Sequence, residues 1–416
     1  MSSASQARGP IPAIETAAYT ATGDGTGSDA TATTGSAIGT GTARFGPDGV
    51  ADSPVLHLRG PVLVDETTEL PEAWVLDGRI HHERPDLSAG TEVVPLDGFV
   101  VPGLVDLHCH IGINDTGSGT DLATARAQAV VDRDTGVLLI RDAGSIIDNS
   151  ALQSQPDLPR LVRCGRHLAR SKRYLRGYAH ELEPEQLPEA VAYEASRSDG
   201  WIKLVGDWID RDLGDLSPTW DAETFLAAAD VAHAAGARIT AHTFAEETLP
   251  MLLDAGFDCL EHATGLSDDT IARAAASRTP VVTTLVNVDE FEQYAAQGAP
   301  KFPQYAAHMR RLRSGRLERT RNALDAGVPL LVGTDSGGVL GHGIIHDELD
   351  ELHRAGLDGT EILTGATWEP RRFLGAPGLE DGAPADLLVV PRDPRQDHRA
   401  LRERTAVVLR GRIVTA

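Results

Sequence analysis

The sequence predicts an α/β protein: a (β/α)8 TIM-like barrel over residues 102–383, with a small β-sandwich domain built from the flanking segments 45–101 and 384–416. Two observations carry this. Strand-like and helix-like stretches alternate through eight repeats, and β-rich runs of matching character stand at both ends. The length of 416 residues leaves room for that second unit, since one barrel needs about 250.

The N-terminal residues come first and stand apart. From Ala17 to Thr42 the chain is mostly Thr, Ala, Gly and Ser with no helical or strand period, so residues 1–44 are expected to be a disordered low-complexity tail. Pro10 and Pro12 interrupt its one mildly apolar part, which does not read as a secretory signal. The terminal β domain follows, with short β-rich runs at 55–59, 61–64, 73–80 and 91–95, answered by 385–390 and 405–414. Arg410-Gly411-Arg412 echoes Asp77-Gly78-Arg79, so the two ends are expected to pair in one sheet.

The barrel strands are expected at 102–110, 136–142, 161–164, 201–205, 237–242, 257–262, 279–285 and 329–335. A helix over 221–236 closes on the glycine favoured just past a helix C-terminus, and another opens at Ser267, a good N-cap. In a strand the side-chain period is two, so Asp106, His108 and His110 should share one face and Val105, Leu107 and Cys109 the other. The remaining strands end alike. Lys203 lies in the fourth, His242 ends the fifth, His262 the sixth and Asp335 the eighth. Each residue alone has an ordinary structural explanation, as a core histidine, a turn cap or a snorkelling lysine. Their placement at one end of five strands would gather them at one barrel mouth, where imidazoles and a carboxylate suit divalent metals.

Composition excludes several classes. A net charge of -23 disfavours nucleic acid and anionic membranes as partners, and no apolar run approaches the roughly 20 residues that a bilayer requires. Three widely spaced cysteines argue against a disulfide framework, so a cytoplasmic location is expected. A homo-oligomer is compatible with all of this.

The segments Pro102–His110, Leu260-Glu261-His262, Gly333-Thr334-Asp335, 366–370 and 382–390 resemble the signatures of the metal-dependent amidohydrolases, in that family's order. Ile202-Lys203 and Ala241-His242 are similar to its imidazolonepropionase-like and prolidase-like branch. The resemblance implies a binuclear centre with a carboxylated lysine: His108, His110 and Asp335 on one ion, His242 and His262 on the second, and N6-carboxylysine at Lys203 joining them. Zinc is the expected metal. Such a site implies hydrolysis of a carbon-nitrogen bond in an amide, cyclic amide or dipeptide-like compound by a metal-bridging hydroxide, with Asp335 as general acid and base. Thr334, Glu261 and Asp106 are expected to orient the histidines. Lactone or phosphoester hydrolysis and ring deamination on the same barrel are the alternatives, and a non-catalytic binding protein ranks last because all six ligand positions are filled.

Substrate signals are weaker. The basic stretch 165–180 is either a cradle for a substrate carboxylate or a solvated loop of surface ion pairs. Arg170, Tyr178 and His180 are the candidate contacts there, Lys172 a further anion partner, and His342, after the eighth strand, another contact. His346 and Cys109 read as structural. Phe244 stands where prolidase-like enzymes commonly carry a tyrosine, and it cannot donate a hydrogen bond, which argues against Xaa-Pro dipeptidase activity.

Overall fold

The computed structural model describes residues 54–415; the expected tail at 1–44 and the first residues of the expected terminal domain lie outside the described residues. Eight parallel strands form the barrel: Leu104–Cys109, Val137–Asp142, Arg160–Arg163, Trp201–Val205, Arg238–Thr243, Cys259–His262, Val281–Thr283 and Leu330–Val332. A short strand, Leu168–Arg170, carries the pairing from the third to the fourth through Leu168 and Leu204. Closure falls between the eighth and the first. There the Thr334 and Asp335 amides donate to His108 O at 3.1 and 2.6 Å, and the His110 amide donates to Ser336 O at 2.7 Å.

The helices form where the sequence marks them. Ala222–Ala234 starts at Asp221, whose carboxylate accepts from the Thr224 amide at 2.8 Å, and ends before Gly236 in the left-handed region. Asp268–Ser277 begins with a Ser267–Thr270 capping box. No helix among the described residues is long and apolar enough to cross a membrane.

The terminal segments build one eight-stranded sheet in which Phe99–Pro102 pairs antiparallel with Leu387–Val390. Alternation gives it two apolar faces. Leu56, Leu58, Val75, Leu387, Val389 and Val408 form a core of their own, while Val101, Leu388, Val390, Val407 and Leu409 join the barrel's outer core. The echoing tripeptides meet there. Asp77-Gly78 and Arg410-Gly411 both have positive φ at two successive residues, the pattern of a type I′ turn. The turns touch so closely that a Cβ on Gly411 would lie 2.4 Å from Gly78 Cα. Asp386 ties sheet to barrel, accepting from Arg160 Nε at 2.6 Å and the Arg410 amide at 2.7 Å.

Candidate metal centre

The barrel interior is stacked in layers, and the stacking aims the candidate ligands. The lowest layer is apolar, drawn from seven of the eight strands and including Leu107, Leu139, Val162, Trp201, Cys259 and Leu331. Two residues further along the strands the layer turns polar. Buried Arg141 pairs with Glu261, and Thr240 Oγ1 donates to the same carboxylate. Burial alone would raise Glu261, but Arg141, Lys203 and His108 outweigh it and hold the carboxylate well below its usual range. Lys203 belongs to this layer, and desolvation pushes its ammonium down despite the attraction of Glu261 and Asp335.

The histidines rise from that layer. His108 Nδ1 donates to Glu261 at 2.8 Å, which turns its Nε2 toward Asp335 Oδ1 at 3.1 Å and leaves Lys203 Nζ 3.4 Å away. His110 Nδ1 donates to Gly144 O at 2.8 Å, and its Nε2 meets the same Asp335 oxygen at 3.0 Å. On the opposite side His242 Nδ1 and His262 Nε2 stand 3.0 Å apart, with His262 Nδ1 on Thr284 Oγ1 at 2.6 Å. Burial holds both of these imidazoles well below their usual pKa, hence neutral. The potential ligand atoms of His108, His262 and Asp335 lie within 4.8 Å of one another. His262 and Asp335 take left-handed φ of 63° and 57°, a strained conformation for non-glycine residues at the points where their strands turn out of the barrel. Imidazoles, a carboxylate and a buried amine converging this closely fit divalent cations chemically.

Several expectations need correction. The parity argument fails within the first strand, because its register shifts between Asp106 and Cys109. Val105 and Leu107 therefore fill the interior beneath His108, while Cys109 does face outward into the surrounding core. Of the three residues expected to orient the histidines, Glu261 alone meets a ring. Asp106 accepts from the His108 amide at 3.0 Å and from Thr334 Oγ1 at 2.6 Å, pinning the first strand to the eighth. Burial pushes Asp106 up to about 7, and Thr334 partly offsets that.

The expected substrate contacts divide. Tyr178 lines the cavity over the centre, whereas Arg170, His180 and His342 do not. Arg170 pairs with Glu183, His180 with Glu194 at 3.1 Å, and His342 with Asp132 at 2.8 Å. Lys172 is exposed, its amide donating to Glu181 at 3.1 Å. For Arg170, His180 and His342 a carboxylate outside the cavity has claimed the side chain's polar group. Other residues took the places near the ligands. Asn287 donates from Nδ2 to Asp335 Oδ2, and its Oδ1 accepts from the Tyr294 hydroxyl at 3.1 Å. His167 lies beside His110, ring centroids 5.1 Å apart, and both its ring nitrogens are buried without a hydrogen bond. The cavity itself measures about 170 Å³, room for a small molecule, and Tyr174, Trp208, Phe244, Phe302 and Tyr305 also line it.

Comparison with known proteins agrees with this fold. Residues 215–414 match the model of the amidohydrolase family. An uncharacterized protein of Mycobacterium tuberculosis is 51% identical over 358 residues, 86% of this chain and 95% of that protein. A putative prolidase from Bifidobacterium longum superimposes with a TM-score of 0.72 at 25% identity, covering 88% of this chain and 95% of that one. A Xaa-Pro dipeptidase crystallised with methionine in its active site gives 0.72 at 18% identity, over 87% of this chain and 100% of its own.

Proposed function

Because the chain belongs to the amidohydrolase family and is therefore a hydrolytic enzyme, we propose that it cleaves a carbon-nitrogen bond of a small amide at a binuclear metal site. His108, His110 and Asp335 would hold one ion, His242 and His262 the second, and Lys203, carboxylated on Nζ, would bind between them. The observation that carries this reading is the meeting of His108 Nε2 and His110 Nε2 on one Asp335 oxygen, at 3.1 and 3.0 Å, with Lys203 Nζ 3.4 Å from His108. Two divalent ions would supply Lewis acidity toward a carbonyl oxygen and acidify a water.

The chain's own groups do the rest. Desolvation favours the neutral amine of Lys203, the form that reacts with carbon dioxide to give a carbamate, whose oxygens can serve as ligands where an ammonium cannot. Asp335 accepts the proton of the attacking water and returns it to the departing nitrogen. Asn287 fixes the rotation of that carboxylate through its second oxygen. Glu261, Gly144 O and Thr284 each hold one nitrogen of a histidine, which sets the direction of the other. The test is hydrolysis of an amide panel by protein loaded with zinc and bicarbonate: release of amine that is lost on chelation and regained on readdition is expected, and turnover indifferent to chelation would refute it.

A further inference from the structure

Resting on the amide-hydrolase reading above, we propose that this site selects an uncharged amide carrying an aromatic ring next to the scissile bond, and that it discriminates against substrates with a carboxylate. The cavity wall decides this. Besides His262, three rings stand against His242: Phe244 at 4.2 Å between centroids, Trp208 at 5.4 Å and Tyr174 at 5.9 Å. Tyr174 and Trp208 meet edge to face at 4.8 Å, so the wall is a continuous aromatic surface beside a proposed metal ligand. Phe302 and Tyr305 line the cavity as well.

No lysine or arginine lines this cavity among the described residues. The basic stretch that follows the third strand lines the cavity with Tyr174, Leu175 and Tyr178 and with none of its cations. Arg166 donates to Gly177 O and Tyr178 O, Arg170 pairs with Glu183, and Arg173 spans Asp210, Trp208 O and Ser217. Those cations brace the loop that carries Tyr174 and Tyr178. A substrate carboxylate turned to this wall, away from the proposed ions, would thus shed its hydration against rings and phenols, with only neutral donors there in return. The phenols are neutral as well, since burial raises Tyr174, Tyr178 and Tyr294 above their usual pKa. Tyr174 and Tyr178 can donate to a carbonyl without adding charge, while the Tyr294 hydroxyl already donates to Asn287 Oδ1 at 3.1 Å. Phe244 completes the pattern, because the ring it sets 4.2 Å from that of His242 cannot donate.

The test compares acetanilide, 4-acetamidobenzoate and N-propylacetamide on the metal-loaded full chain, by turnover and by calorimetric binding to metal-loaded Asp335→Asn. Acetanilide is expected to exceed each of the other two by at least about tenfold, in kcat/KM and in affinity alike. Val339 is 39% exposed at the cavity rim, and Val339→Arg should narrow the gap between acetanilide and 4-acetamidobenzoate. Carboxylate binding equal to or tighter than that of acetanilide overturns the inference, as does failure of the metal-loaded protein to bind any of the three. Selective binding of acetanilide with no turnover of any would uphold the aromatic, uncharged pocket and refute amide hydrolysis itself.

Discussion

At the scale of residues, Glu261 and Asp335 divide the labour of the centre. Glu261 is fully buried between Arg141 and His108, so Glu261→Ala strands a buried guanidinium and releases the ring. Breaking such a pair is expected to cost about 3–5 kcal/mol, read as a lower urea midpoint. Asp335→Asn should behave differently: the amide oxygen can still meet an ion but cannot accept a proton, so turnover falls by at least about 100-fold while metal content is largely kept. Retained turnover would remove Asp335 from the base role. The strand-end residues were legible in the sequence because each sits where an apolar run stops. Arg170, His180 and His342 were not, since the direction of a loop side chain depends on which carboxylate lies nearby, and Glu183, Glu194 and Asp132 are distant partners or unmarked ones. Asn287 and His167 gave no signal beyond their residue types.

Among elements, the barrel strands were the readable part and the insertions at their ends were not. Trp208 arrives on a hairpin, Asp207–Asp210 against Asp215–Pro218, and Tyr294 on the helix Phe291–Gly298. Both follow barrel strands as insertions that no periodicity announces. The first strand's register shift was equally invisible, because a bulge changes side-chain direction without changing composition. The terminal turns were readable through their Asp-Gly and Arg-Gly pairs, and they carry a prediction. Gly411 has φ of 79° with Gly78 Cα 2.4 Å from where a Cβ would stand. Gly411→Ala should therefore destabilise the protein by more than about 1 kcal/mol, measured by thermal unfolding, whereas no loss would show that the two turns separate freely.

For the whole molecule, stability should depend on pH through the contact of the helix Ile345–Arg354 with the terminal segment. His346 is buried with Nε2 on Thr135 O at 2.9 Å, and burial with the nearby Arg404 brings its pKa down from 6.5 to about 4. The unfolded chain binds that proton more readily, so the contribution is complete above pH 6.5 and is lost as pH falls through 4. The loss amounts to about 3 kcal/mol. His346→Gln, which can still donate to Thr135 O, should flatten that slope; an unchanged profile would assign the acid sensitivity elsewhere. The central claim, a carbamate-linked pair of ions at one barrel mouth, is tested most directly by elemental mass spectrometry of protein expressed with divalent metal and bicarbonate. Two ions per chain, falling in Lys203→Ala, is the predicted result. One ion indifferent to Lys203, or none under any condition, would contradict it.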